Sequence, residues 1–448
     1  MTLPLASVPR YHVTVLSNFA RGFDKYSRTY SKAGIAESTF ADRFFLLRRE
    51  DLAIGLAKAE RLLQRLQLPG NRLIALETRV DPTALRPNLQ TGLGEFIEQP
   101  WIHLIAVHDV QQTDSGLQLA PLEIEAAASL SLQLLQPNFH AYSALQPRTF
   151  SILPIAQGCQ AACPFCFSEA SVSAEQEQLR LGLETIKSFA LAAKTRGASR
   201  FVITGGGEPG LVPHPRLTEL IRTGTASLGK GVLITNGHHL GKLSESNRAA
   251  ALRDYHAAGL QVLAISRHHH DDRASEQLMK LHTPVADIAR TWQAGRAEWP
   301  GLQLRLTCVL QRGGIDSRES LAAYVAWAAA LGVREICFKE LYVSTSVESV
   351  YHTFAANAWS REHQVPLSLV LDFAREQRFV EVSRLPWGAP IFRGTMNGQP
   401  LQIAAYTEPS LYWERTQGIA RSWNLMADGR CLASLEDRAS EITLGAAA

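Results

Sequence analysis

From about Thr149 onward the chain alternates short β-branched runs with helical stretches, a pattern that folds as βα units around a parallel sheet. Strand candidates lie at 150–155, 200–204, 231–235, 261–265, 303–310 and 334–340. Between them, 184–195, 215–227, 245–258, 285–298 and 318–331 carry apolar residues at three- and four-residue spacing, as a helix with one buried face requires. In parallel α/β folds chemistry collects beyond the carboxyl ends of the strands, so the loops leaving each strand are the candidates for function.

The loop after the first strand holds Cys159, Cys163 and Cys166, spaced C-x3-C-x2-C. A tight loop of this kind lets each sulfur reach a different iron of a cubane cluster and leaves the fourth iron without a protein ligand. Two plainer readings use the same residues: a zinc site completed by a distant ligand, or a buried loop of small residues. Zinc sites more often pair two C-x2-C units, and the chain has no second pair. Six cysteines in 448 residues, three of them in one loop, do not form a disulfide framework.

The next strand ends carry further polar signals. After 200–204 come Gly205, Gly206, Gly207, Glu208 and Pro209; glycines there let the backbone approach a small molecule closely. After 231–235 come Asn236 and Gly237, and after 261–265 the run Ser266, Arg267, His268, His269, His270, Asp271 and Asp272. Three adjacent histidines on a loop are often plain polar surface. The functional alternative is that one of His268, His269 or His270 points into the barrel mouth as a proton donor, acceptor or substrate anchor, a role suited to a proton affinity near neutrality. Glu340, Tyr342 and Ser344 sit at the exit of the last strand as candidate substrate contacts, with Tyr342 also a candidate acid or radical relay.

Together these motifs resemble the radical SAM superfamily. The cysteine loop with Phe165 before its last cysteine matches the family signature, and Gly206, Gly207 and Glu208 match its GGEP motif. The resemblance implies an α/β fold, a partial (β/α)6 barrel, binding a [4Fe-4S] cluster through Cys159, Cys163 and Cys166 and S-adenosylmethionine (SAM) at the open iron. It implies that Glu208 and nearby backbone groups accept hydrogen bonds from the SAM ammonium. Likeness to the molybdenum-cofactor cyclase branch carries contact with the SAM carboxylate and ribose to Thr235, Ser266 and Arg267. It further implies reductive cleavage of SAM to a 5′-deoxyadenosyl radical that removes hydrogen from a substrate, with a flavodoxin- or ferredoxin-type electron donor. The substrate is expected to be a peptide modified after translation, or else a small molecule of cofactor, nucleoside or antibiotic biosynthesis. A non-catalytic metal-binding scaffold is the reading from another class, and Gly206 to Glu208 beside the cysteines argue against it.

The flanks read differently. Residues 1–148 form an expected α+β segment, helical over 44–66 with strands at 72–76 and 101–107; 149–345 is the expected barrel, and 346–448 a C-terminal extension capping it. Residues 423–432 resemble the turn and strand of SPASM-type tails, in which a cysteine ligates an auxiliary cluster. Here Cys431 has no partner cysteine between 338 and 430, so a clusterless cap is expected. Cys308 and Cys337 read as small buried hydrophobes within strands. A net charge of +3 is too mild to point to nucleic acid or an anionic membrane. The N-terminus lacks the basic start and apolar run of a signal peptide, and no apolar stretch approaches 18 residues, so a cytoplasmic location is the default expectation.

Overall fold

The computed structural model describes residues 11–17, 43–48, 72–78, 102–122, 140–167, 181–343, 350–351, 354–409 and 411–444. The chain divides into two units: Met1–Phe139 with Thr345–Glu348 and Ser410–Gln417, and His140–Ser344 with Ser349–Pro409 and Gly418–Ala448.

The first unit holds strands β1 (Tyr11–Ser17), β2 (Arg43–Arg48), β3 (Arg72–Thr78), β4 (Ile102–Thr113) and β5 (Gly116–Leu122) in the order β2-β1-β3-β4-β5, all antiparallel. The strands expected at 72–76 and 101–107 are β3 and β4. The helix expected over 44–66 is corrected at its start, which is strand β2. Phe44, Phe45 and Leu46 lie opposite Val15, Thr14 and Val13, so pairing outweighs the local helical pattern. Residues 49–66 lie outside the described residues.

The second unit is built on strands β6 (Gln146–Ile152), β7 (Phe201–Ile203), β8 (Gly231–Thr235), β9 (Leu260–Ser266), β10 (Gln303–Leu310) and β11 (Glu335–Glu340), the six expected, each parallel to the next. The crossovers are α1 (Leu183–Thr195), α2 (His214–Leu228), α3 (His238–Gly241) with α4 (Glu245–Ala257), α5 (Asp272–Met279) with α6 (Val285–Ala294), and α7 (Arg318–Ala330). Side chains set their starts: Ser244 accepts from the Asn247 amide, Asp271 from that of Ala274, and Ser317 forms a capping box with Ser320. Beyond β11 lie α8 (Ala355–His363), α9 (Ser368–Glu376), β12 (Val380–Arg384), β13 (Pro390–Met396), β14 (Gln399–Tyr406), β15 (Ile419–Leu425) and β16 (Cys431–Leu432).

The C-terminal region is not a separate cap. β14 adds in parallel beside β11, and β15 adds in parallel beside β6, extending the parallel run at both ends. Eight parallel strands result, in the order β14-β11-β10-β9-β8-β7-β6-β15, flanked by antiparallel β12, β13 and β16. The SPASM-like phrase at 423–432 is thus part of this sheet, and its Cys431 is buried. β14 and β15 are not paired in the sheet order, but Glu408, just past β14, forms an ion pair with Arg421 of β15. That ion pair ties the segment after β14 to β15.

Burial alternates along β10: Leu304, Leu306, Cys308 and Leu310 are buried in the core, while Arg305, Thr307 and Val309 on the other face are half-buried. Cys337, opposite Thr307 in register, shares that second face and is half-buried, which corrects its expected place in the core. Among the described residues no helix is long and apolar enough to cross a membrane.

Candidate iron–sulfur and cofactor site

The cysteine loop leaves β6 and is held by three backbone hydrogen bonds, two of them to other parts of the chain. The Ala162 amide donates to the Met279 carbonyl at the end of α5 (2.9 Å), the Cys166 amide to Cys163 (3.1 Å), and the Glu208 amide to Gly158 (2.9 Å). The last contact brings the loop after β7 against the cysteine loop, and Gly207 makes it possible. A Cβ there would stand 2.2 Å from the Gly158 carbonyl oxygen and 2.6 Å from Ile155 Cγ2. Gly206 beside it has φ +94°, in the left-handed region.

All three cysteines are free thiols, Cys159 exposed, Cys163 and Cys166 half-buried. Burial raises the Cys159 thiol, as does Glu208, against hydrogen bonds from Ala161 and Asn236 that lower it. Burial and then the charges of Cys166 and Cys159 push Cys163 up to about 12. The sulfurs are therefore near neighbours that resist ionising together, and bound cations would relieve the repulsion. Among the described residues no three His, Cys, Asp or Glu side chains converge on a single ion. Three cysteines on one short loop supply the thiolate donors a cluster needs, so the donor set fits the expected group.

Glu208 is the hub of the site. Only 4% exposed, it accepts from the Gly210 amide (2.7 Å), from the Asn236 amide (2.8 Å) and from the Thr235 hydroxyl. Burial raises its pKa, against these hydrogen bonds, which lower it. Thr235, at the end of β8, also accepts from the Gly237 amide (3.0 Å). Its hydroxyl thus donates to Glu208 and accepts from Gly237, so within the protein it positions Glu208. Ser266 closes β9, half-buried and without a side-chain hydrogen bond among the described residues.

Arg267 is held within the protein. It is 2% exposed and faces inward, donating to the carbonyls of His269 (2.6 Å) and His270 (3.1 Å) and pairing with Asp272 (2.5 Å). Its guanidinium lies 5.2 Å from the Trp327 ring, and its own carbonyl accepts from Tyr324. These bonds commit its Nε and Nη2 donors to the histidine loop and Asp272, while Nη1 lies 3.5 Å from the Thr283 carbonyl.

The three histidines separate. His268 is buried; its Nδ1 accepts from the Val309 amide (3.0 Å), so its proton sits on Nε2, and Phe165 meets its ring edge-to-face at 5.0 Å. Burial, then Arg267 and Lys339, hold His268 neutral with a pKa of about 3. His269 and His270 stack at 4.4 Å, half-buried, with His269 Nδ1 capping the Asp271 amide. Both have lowered pKa values, burial being the main cause. His268 thus stands neutral near pH 7, with Nε2 as a hydrogen-bond donor. Phe165 also packs against Trp359 of α8 at 5.8 Å, so it anchors the cysteine loop.

Glu340 accepts from the Thr407 hydroxyl (3.0 Å). Tyr342 is half-buried among Phe167 and Tyr351, and burial with Glu436 beside it drives its pKa well up. Ser344 lies outside the described residues. Sequence reasoning missed Glu408, which pairs with Lys339 (2.8 Å) and Arg421 and accepts from Tyr406. Burial would raise its carboxyl, but Arg421 and Lys339 bring it down to about 2. It also missed Asn236, which links the cysteine loop to Glu208.

A model of the 4Fe-4S single cluster domain matches residues 150–278, the stretch that holds the end of β6, the cysteine loop, the Glu208 hub and β7 to β9. No curated protein matches the chain. Among solved structures, SuiB of Streptococcus suis bound to S-adenosylmethionine is similar at 15% identity over 69% of this chain and 64% of its own, with TM-score 0.41. SuiB bound to its precursor peptide SuiA is similar at 13% identity over 82% and 80%, with TM-score 0.39. Coproporphyrinogen III oxidase (HemN) of Escherichia coli is similar at 13% identity over 52% and 51%, with TM-score 0.36. The chain thus spans about two thirds or less of the SAM-bound SuiB and of HemN, and at these scores the likenesses fix neither activity nor substrate.

The three-thiol loop on the first of a run of parallel strands lies inside the segment, residues 150–278, that matches the 4Fe-4S single cluster domain. Gly206, Gly207 and Glu208 are seated against that loop from the next strand, where the resemblance to the radical SAM signature expects them.

Proposed function

We propose that the protein is a radical SAM enzyme that removes hydrogen from its substrate. The observation that carries this reading is Glu208: a buried carboxylate at the end of β7 that joins the cysteine loop, through the Glu208 amide and Gly158, to the Thr235–Asn236 turn at the end of β8. When bound, the cluster and SAM supply one-electron reduction and a 5′-deoxyadenosyl radical, chemistry that belongs to the cofactors. The chain's residues hold and orient. Cys159, Cys163 and Cys166 would hold the cluster; the Gly206–Gly207 backbone, Glu208 and Ser266 are the groups we assign to SAM. Phe165 and the neutral His268 wall the site with apolar surface, and His268 Nε2 offers a hydrogen-bond donor whose protonation does not change near neutrality. The half-buried face of Thr307, Val309, Cys337 and Lys339 belongs to the substrate side, with Glu340 and Tyr342 at its upper end.

The substrate we favour is a peptide modified after translation, with a flavodoxin- or ferredoxin-type protein as electron donor. Residues 1–148 would help hold the peptide. The similar SuiB has been crystallised with a precursor peptide, SuiA, which agrees with this choice of substrate without carrying it. The test is transfer of label: a candidate peptide encoded beside this gene, deuterated at its side chains, is turned over anaerobically and 5′-deoxyadenosine is collected. Deuterium in deoxyadenosine together with a mass change in the peptide supports the reading. Deoxyadenosine without label from any peptide, but with label from a small molecule, moves the assignment to small-molecule chemistry.

A further inference from the structure

Asn236 follows β8 and is only 5% exposed. Its side-chain Nδ2 donates to Cys159 Sγ at 3.6 Å and to Gln160 Oε1 at 3.2 Å. The amide's orientation is not arbitrary. The His238 backbone N–H, at the start of α3, lies 2.9 Å from Oδ1, and a backbone donor there demands an acceptor, so the NH2 group must face the cysteine loop. The main chain of the same residue is also held, since its N–H donates to Glu208 at 2.8 Å. Asn236 is therefore clamped at two points with its remaining donors aimed at one sulfur and its neighbour. The Ala161 amide donates to the same sulfur at 3.3 Å.

We propose that Asn236 donates a hydrogen bond to the cluster-ligand sulfur of Cys159 and thereby sets how readily the cluster accepts its electron, an inference that rests on the iron–sulfur reading above. A donor N–H at a thiolate sulfur stabilises negative charge, and the reduced cluster carries one more negative charge than the oxidised one. The bond stabilises the reduced form more and raises the reduction potential. Cys159 is the exposed member of the three, where water would otherwise compete for the sulfur, so a fixed buried amide has the most to contribute there.

The experiment is an EPR-monitored redox titration of the reconstituted full chain without SAM, comparing wild type with Asn236→Asp, Asn236→Ser and Gln160→Ala. Asn236→Asp keeps an acceptor for His238 and loses the donor; Asn236→Ser keeps a hydroxyl that can accept from His238 but is too short to reach the sulfur, adds no charge, and carries the test if the aspartate variant fails to assemble. Gln160→Ala removes the amide's other partner and leaves the sulfur contact. Both Asn236 variants should lower the ratio of reduced to oxidised cluster at the wild-type midpoint about tenfold, a fall of about 59 mV for one electron, while Gln160→Ala stays near wild type. Unchanged midpoints in the Asn236 variants with clusters assembled, or an equal fall in Gln160→Ala, would overturn the assignment to Asn236 alone. A wild-type chain that takes up no [4Fe-4S] cluster would instead sink the iron–sulfur reading and this inference with it.

Discussion

Replacing Gly207 by alanine is the sharpest perturbation of the site that adds only one methyl group. The new Cβ would stand 2.2 Å from the Gly158 carbonyl oxygen, where ordinary contact begins at 3.4 Å, and that neighbour is backbone and cannot rotate away. The two loops must part by about 1 Å, which strains the Glu208-to-Gly158 hydrogen bond and draws Glu208 away from the cysteine loop. Overpacking of this kind costs about 1–3 kcal/mol of stability, and a displacement of about 1 Å between reacting groups costs roughly 10²-fold in rate. The assay is deoxyadenosine formation under single-turnover conditions, with iron content and urea midpoint measured on the same preparation. Gly301→Ala is the control: φ +92° with nothing within 4 Å of the new Cβ, so it should cost only about 1–2 kcal/mol of backbone strain and leave the rate alone. A Gly207→Ala protein with wild-type rate would refute the close seating of the two loops on which the site depends.

Three further predictions follow from named contacts. Arg267→Ala leaves the carbonyls of His269 and His270 without their charged donor and should lower stability by about 2–4 kcal/mol, read by urea denaturation; a loss below about 0.5 kcal/mol would mean the guanidinium does not organise that loop. Glu408 ionises in the folded state at about 2, below an unfolded carboxyl near about 4.3, so its stabilisation is present above about pH 4.3 and drains away as pH falls toward 2. Wild type should therefore lose about 3 kcal/mol more than Glu408→Gln over that window, and parallel acid-stability curves for the two proteins would count against the ion-paired seam between β14 and β15. For His268 the folded pKa of about 3 lies below the unfolded value near 6.5, so its neutral burial favours folding above pH 6.5 and opposes it increasingly toward pH 3. An imidazole titration by NMR that finds His268 protonating between about pH 6 and 7 would contradict its placement beneath Phe165.

The six strands β6 to β11 were legible because each is a short apolar run bounded by turn residues, with a helix of clear periodicity after it. The cysteine loop and the glycine turn were legible because their spacing carries chemistry by itself. What could not be read were contacts between distant residues. β15 contains Arg421, Ser422 and Asn424 among its apolar residues, and nothing local announces that it lies parallel to β6, far earlier in the chain. Thr235 and Asn236 read as turn residues; only the fold shows that both serve Glu208 and that the Asn236 amide reaches a sulfur 77 residues away. Arg267 looked available because arginine at a strand end is usually solvated. Trp327 and Tyr324 of α7 build the pocket that turns it inward. The triple histidine defied reading for a physical reason as well, since one residue is walled in by Val309 and Phe165 while its two neighbours stack on each other.

The most direct test of the account is anaerobic reconstitution of the wild-type chain and of Cys163→Ala with iron and sulfide, followed by reduction, addition of SAM, an iron count and mass spectrometry for 5′-deoxyadenosine. The account predicts about four irons per chain and deoxyadenosine from wild type, and neither from a Cys163→Ala protein that remains folded. Deoxyadenosine from Cys163→Ala at the wild-type rate, or a fully loaded wild-type cluster that never cleaves SAM with any reductant or candidate substrate, would contradict it.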